Sequence, residues 1–244
     1  MILTAHQPGY IPWIGLFHKI YLSDTFCYFD IAQYQSKEFD NRNKIKTNSG
    51  SIWLTVPVES KNHFEKRLCE VKILDNGWQR KHIKSIELAY KKTKFFDFYF
   101  DKISEILSKK HKYLTDLNIE LIEYFLTVLG IKVKTVIASD YNFQGKKSDL
   151  VLDMCVKLVA NDYIFGPQGF NYADIDSFQS KGINVFFQNY EHPSYEQLHG
   201  DFEPYMSILD LIFNCGDRSR EIMIGENIRS VREILQLGVN NAFE

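Results

Sequence analysis

The stretch that decides the fold is Met1-Ile2-Leu3-Thr4-Ala5-His6-Gln7-Pro8-Gly9-Tyr10-Ile11-Pro12-Trp13-Ile14-Gly15-Leu16-Phe17-His18-Lys19-Ile20-Tyr21-Leu22-Ser23-Asp24-Thr25-Phe26-Cys27-Tyr28-Phe29-Asp30. The apolar run Met1 to Ala5 ends at a polar turn and reads as a buried strand. Pro8 and Pro12 exclude a helix interior between them. From Trp13 to Leu22 apolar side chains recur at helical intervals, which predicts a helix. Thr25 to Phe29 is aromatic-rich and predicts a second strand ending at Asp30. Strand, helix and strand together make a β-α-β unit with a right-handed crossover.

Further along, Ile31 to Asn48 is polar and interrupted, and reads as irregular. Ser51 to Val58 then predicts a strand entered through the Asn48-Ser49-Gly50 turn, and Val71 to Leu74 offers a further one. Apolar positions three and four apart predict helices over Trp78–Tyr90, Asp97–Ser108 and Leu114–Leu129, a helical lobe spanning 78–129. After Gly130 the alternation resumes. Strands are expected at Val133–Ala138, Tyr163–Phe165 and Asn184–Gln188, with helices at Ser148–Val159, Ala173–Ser180, Ile208–Phe213 and Arg220–Leu237. The fold class expected is therefore α/β: a Rossmann-like, mostly parallel sheet flanked by helices, in a single domain over 1–244.

Composition limits the function. Lys and Arg number 29 against 31 Asp and Glu, a formal charge of −2. Without a basic excess an extended nucleic-acid groove is not expected. With 45% hydrophobic residues, 14 Tyr and 19 Phe, the chain has ample surface to bury. Cys27, Cys69, Cys155 and Cys215 form no C-x-x-C pair, so neither a zinc site nor a disulfide framework is indicated, and reduced thiols suit a cytoplasmic protein. No secretory signal and no apolar run of bilayer-crossing length is visible.

Ligands of open α/β sheets bind beyond the carboxyl ends of the strands, where loops converge on a rigid frame. Four such stretches are expected to face one cleft: His6-Gln7-Pro8, Asp30 with Gln33, Gly166-Pro167-Gln168-Gly169, and Glu191-His192-Pro193. His6 and His192 are the candidate general bases, since an imidazole exchanges protons near neutrality and the neighbouring prolines hold the backbone. Asp30 is the third candidate catalytic group and a candidate partner of Arg42. Asn41-Arg42-Asn43-Lys44-Ile45-Lys46 offers amides, a guanidinium and ammoniums for phosphate or carboxylate oxygens. Gly166 and Gly169 would allow close backbone approach to a ligand, and Trp13, Tyr34 and Trp53 offer stacking surfaces. Each feature also has a plain structural reading, as a turn, a solvated charged loop or a core aromatic.

Taken together, His6-Gln7-Pro8-Gly9-Tyr10-Ile11-Pro12-Trp13-Ile14-Gly15, Asp30, Asn41 to Lys46 and Trp53-Leu54-Thr55-Val56-Pro57-Val58 resemble the WbqC-like protein family. Gly166 to Gly169, His192-Pro193-Ser194-Tyr195-Glu196-Gln197 and Ser207 to Gly216 extend the resemblance over nearly the whole chain. It implies a bacterial protein of O-antigen or related lipopolysaccharide synthesis, with a proposed role in transferring glycine or another acyl group to an amino sugar. On the family's motifs, side-chain chemistry makes Gln7, Tyr10, Trp13, Gln33, Asn41, Arg42, Asn43, Lys44, Lys46, Gly166, Gln168, Gly169, Tyr195 and Gln197 candidate substrate-binding residues. The implied substrate is an amino sugar or nucleotide sugar. The implied donor is an activated acyl group such as an acyl-CoA, acyl-adenylate or aminoacyl-tRNA, and no metal is implied; a homodimer is compatible with this reading.

Two other readings stand beside it. The first strand and its histidine turn are similar to those of nucleotidylyl transferases, which suggests ATP-dependent activation of a carboxylate. Those enzymes use an H-x-G-H turn, whereas His6-Gln7-Pro8 lacks the second histidine. The other alternative is a non-catalytic protein that binds a sugar nucleotide.

Overall fold

In chain order the strands of the computed structural model are β1 (Ile2–His6), β2 (Thr25–Tyr28), β3 (Arg42–Thr47), β4 (Gly50–Thr55), β5 (Lys134–Ile137), β6 (Asp162–Phe165) and β7 (Asn184–Phe187). The helices are α1 (Ile14–Tyr21), α2 (Trp78–Tyr90), α3 (Phe96–Ser108), α4 (Leu114–Val128), α5 (Ser148–Lys157), α6 (Ile175–Ser180), α7 (Ile208–Cys215) and α8 (Ser219–Ile224). The structure describes residues 1–59, 66–231 and 233.

Five strands form one sheet in the order β5-β2-β1-β6-β7, and every pairing in it is parallel. The expected Rossmann-like sheet is thus present. From the central β1 the chain moves outward through β2 to β5, then crosses back to β6 and β7. The strand order reverses between β1 and β6, a switch point beyond whose carboxyl ends open α/β sheets bind ligands. Thr4 locks this seam by donating its hydroxyl to the Ile164 carbonyl at 2.7 Å.

All four residues of β2 are buried, as befits a parallel strand covered on both faces. One face packs Phe17, Phe26, Tyr28, Trp78, Phe125, Leu211 and Phe213 into a core that α1, α2 to α4, α7 and the β3–β4 hairpin share. The other packs Leu3, Cys27, Met154, Tyr163, Phe165 and Phe178 beneath α5 and α6. Each such phenyl ring stabilises the fold by roughly 2–3 kcal/mol relative to exposure. The helices expected from the spacing over 78–129 are α2, α3 and α4, and they lie on the first of these cores.

Three expectations change. The segment Asn41 to Lys46 is a strand, not a loop, because β3 pairs antiparallel with β4 and alternates: Asn43 and Ile45 are buried while Arg42 and Lys44 flank the Trp53 ring. Its polar outer residues concealed the period of two. Val71 to Leu74 makes only isolated bridges, Val58 with Ile73 and Lys72 with Tyr113. The last helix was expected over 220–237, but α8 stops at Gly225, whose φ of +49° suits glycine. Residues 232 and 234–237 of that expected helix lie outside the described residues. Among the described residues no helix is long and apolar enough to cross a membrane.

Candidate active site

Helix α1 is buried along its length from Ile14 to Ile20, so any polar side chain on it must find a partner inside the protein. Lys19 is 3% exposed and donates to the Ala5 carbonyl at 3.0 Å. That contact brings its ammonium to the end of β1, beside His6. Across the seam the strand β6 ends at Gly166, and a Cβ built there would lie 3.9 Å from Lys19 Nζ. Among the described residues no carboxylate forms an ion pair with Lys19, and burial lowers its pKa to about 7.

His6 closes the same corner. Its Nδ1 lies 2.9 Å from the Gln7 carbonyl. A carbonyl only accepts, so Nδ1 carries the proton and Nε2 keeps its lone pair. Nothing among the described residues pairs with Nε2. Surrounding protein and, next, the Lys19 ammonium push the imidazolium below its ordinary pKa, while the bond to Gln7 opposes them. The ring is solvent-exposed, which tempers the effect of burial, but the repulsion from Lys19 acts in the same direction. His6 is therefore a neutral imidazole at pH 7, at the carboxyl end of β1, with an Nε2 lone pair that has no partner among the described residues.

His192 is held differently. Its Nδ1 lies 2.9 Å from the Pro193 carbonyl, and its Nε2 accepts from the Tyr205 amide at 3.2 Å. Both ring nitrogens are spent on the backbone. The imidazole is also packed among the rings of Trp13, Tyr190, Tyr195, Phe202 and Tyr205. The two histidines that the sequence could not rank thus differ in the property a general base requires.

The remaining sequence candidates divide into groups. Lys46 donates its ammonium to Gln197 Oε1 at 2.7 Å and to the Asp201 carbonyl. Gln197 Nε2 donates to Asp210 Oδ2 at 2.7 Å, and the Tyr90 hydroxyl donates to Asp210 Oδ1 at 3.1 Å. Tyr195 lies beside this group, where Asp210 raises its pKa further than burial alone. This network ties the irregular stretch 189–206 to β3, and the polar atoms of Lys46 and Gln197 are consumed in it. Arg42 stacks on the Trp53 ring at 4.2 Å with Lys44 at 5.3 Å, and its guanidinium donates to the Lys37 carbonyl.

Asp30 does not pair with Arg42. It is 2% exposed and accepts from the Ser139 amide at 2.9 Å and hydroxyl at 2.6 Å, at the carboxyl ends of β2 and β5. Burial raises its pKa and the Ser139 bonds oppose that. Tyr10 is fully buried, with its hydroxyl 2.8 Å from His82 Nδ1. Asn41 donates to the Val56 carbonyl at 2.8 Å and Asn43 to that of Ile11 at 2.8 Å, so both amides brace the hairpin and the 8–13 loop. Gly169 packs so tightly on Phe165 that a Cβ would come within 2.5 Å. Gln168 is exposed, Gln7 is half-buried, and Gln33 bridges Arg67. The expected single cleft therefore resolves into separate sets, and of the catalytic candidates only His6 lies at the seam of β1 and β6.

Lys19 was the residue the sequence reading passed over, counted only as part of a helical period. Its signal was present: a lysine within a helix apolar on nearly every side. Asp210 and Tyr90 carried no comparable mark. Among the described residues no group of three or more His, Cys, Asp or Glu is placed to hold a metal ion.

With this geometry in view, comparison with known proteins gives two findings. A family model described as the WbqC-like protein family matches residues 7–222. The chain is also similar to the "Uncharacterized protein Rv1507c" of Mycobacterium tuberculosis, 35% identical over 212 residues, which cover 86% of this chain and 92% of that protein. No solved structure matches it. Lys19, Gly166 and Asp30 fall within the family match, and His6 immediately precedes it.

Proposed function

The chain belongs to the WbqC-like protein family, and from that premise we propose that it is an N-acyltransferase acting on an amino sugar, nucleotide-linked, in surface-polysaccharide synthesis. The observation that carries this reading is the Nε2 lone pair of His6, without a partner among the described residues and neutral at pH 7, at the carboxyl end of β1. The sugar amine attacks the activated acyl carbonyl, the bond from that carbon to its leaving group breaks, and an amide forms. Nε2 takes the amine proton as the carbon–nitrogen bond forms and returns it to the leaving group. His6, rather than His192, is the base in this reaction because the His192 lone pair already accepts the Tyr205 amide.

Purified protein incubated with amino-sugar nucleotides and a panel of glycyl and acyl donors is expected to yield the N-acylated sugar. A folded protein that forms no product across that panel removes the assignment. One observation favours a second reading: the parallel sheet reverses direction between β1 and β6, the place where such sheets bind nucleotides. In that reading the enzyme activates a carboxylate with ATP, and carboxylate-dependent exchange of labelled pyrophosphate into ATP identifies it.

A further inference from the structure

We propose that Lys19 is the anchor of a phosphate-binding subsite at the seam of β1 and β6, and that the phosphoryl group of a phosphorylated ligand is the counter-ion this ammonium lacks. The inference takes the carboxyl end of the β1–β6 seam to be the ligand site, as above, but is independent of acyl transfer. It begins from an imbalance. Lys19 is 3% exposed and its ammonium has three N–H groups, yet among the described residues these have one acceptor, the Ala5 carbonyl at 3.0 Å, and no carboxylate. Burying a charge in this way costs several kcal/mol unless an opposite charge is supplied. His6, at the end of β1 beside it, adds to this cost by repelling the ammonium whenever protonated.

The Gly166 position beside the ammonium is open. Gly166 ends β6 with an ordinary φ of −75° that any L-residue adopts, so its backbone conformation does not call for glycine. A side chain there would stand over Lys19 Nζ, 3.9 Å from its Cβ, and among the described residues no other atom outside the flanking residues lies within 4 Å of that position. Leaving the place clear lets an oxyanion reach the two unused N–H groups. A phosphoryl group suits them better than a carboxylate, because it brings up to two charges and three oxygens to a point cation. Burial lowers the Lys19 pKa to about 7, so the amine is partly unprotonated at neutral pH and an arriving anion draws a proton onto it.

The test is calorimetric titration of the full chain. Inorganic pyrophosphate measures affinity. Sulfate, a dianion that does not itself titrate near neutrality, counts protons when the heat is compared across buffers of different ionisation enthalpy. Wild-type protein is expected to bind pyrophosphate and to take up a fraction of a proton with sulfate at pH 7.5. Lys19→Met is expected to lose at least tenfold in pyrophosphate affinity along with the proton uptake. Gly166→Leu, which leaves the charge in place and fills the space, is expected to lose binding as well, and thermal melts confirm that each variant is folded. Pyrophosphate binding unchanged in Lys19→Met overturns the proposal, and so does wild-type protein that binds acetate but not pyrophosphate. Absence of acyl product with pyrophosphate binding intact would discard the transferase reading and leave this one standing.

Discussion

The indole of Trp13 lies directly over Gly15: a Cβ on Gly15 would come within 2.2 Å of Cη2, 2.4 Å of Cζ2 and 2.6 Å of Cζ3. The glycine is thus required by packing on the first turn of α1. Trp13 in turn supports the ring cluster of Tyr190, His192 and Tyr205. Replacing Gly15 by Ala is expected to displace the indole and destabilise the protein by roughly 1–3 kcal/mol, the usual cost of overpacking. Urea unfolding followed by tryptophan fluorescence measures both effects.

The two histidines should separate in kinetics. His6→Gln is expected to lower kcat of acyl transfer by about 10²- to 10⁴-fold with little change in the melting temperature. His192→Ala loses ring packing and the bond to the Tyr205 amide, so its main effect is on stability. Equal kinetic losses in two equally stable variants would contradict the assignment.

The pH profile follows from the sign of the His6 shift. A base whose imidazolium pKa is lowered stays unprotonated to lower pH, so the acid limb of kcat/KM should fall below pH 6.5, the ordinary histidine value. A limb at or above 6.5 would show that His6 is not the titrating base.

Lys19 makes a linkage prediction. Its folded pKa of about 7 lies below the ordinary 10.5, so between these values the unfolded chain holds a proton that the folded one does not. Stability contributed by this group therefore rises with pH across that window, and the penalty is full below pH 7. Lys19→Met, measured without anion, should be more stable than wild type at pH 6.5, by roughly 1–4 kcal/mol. That advantage should shrink towards pH 10, as paired urea melts at the two pH values will show.

Lys46 is a structural cation. It is 5% exposed, holds Gln197 and Asp201, and lowers the pKa of Asp210, which burial raises. Lys46→Met should cost about 1–3 kcal/mol by leaving Gln197 Oε1 and the Asp201 carbonyl without their donor and removing a positive charge near the Asp210 carboxylate. Adding Asp210→Asn should recover part of that loss, and additive effects in the double-mutant cycle would refute the coupling.

What the sequence settled by itself was everything that local periodicity can carry. The strand of Met1 to Ala5, the helix after Pro12 and the three helices over 78–129 are visible because one face of each must be buried, and burial writes a period of 2 or 3.6 into the chain. Where a strand carries a single apolar residue among polar and charged ones, as Ile45 in β3, that record fades and only the pairing with β4 reveals it. The site was half legible: a histidine at the end of the first strand marks the place. Tertiary structure alone decided that the His6 lone pair has no partner among the described residues and that of His192 is taken, because hydrogen-bond partners of one ring come from backbone atoms up to 13 residues away. It also decided that Lys19, one lysine among many in the sequence, ends beside His6 and Gly166. A strand crossover brings residues 6, 19 and 166 to one corner, and no short-range pattern encodes a contact spanning so much of the chain.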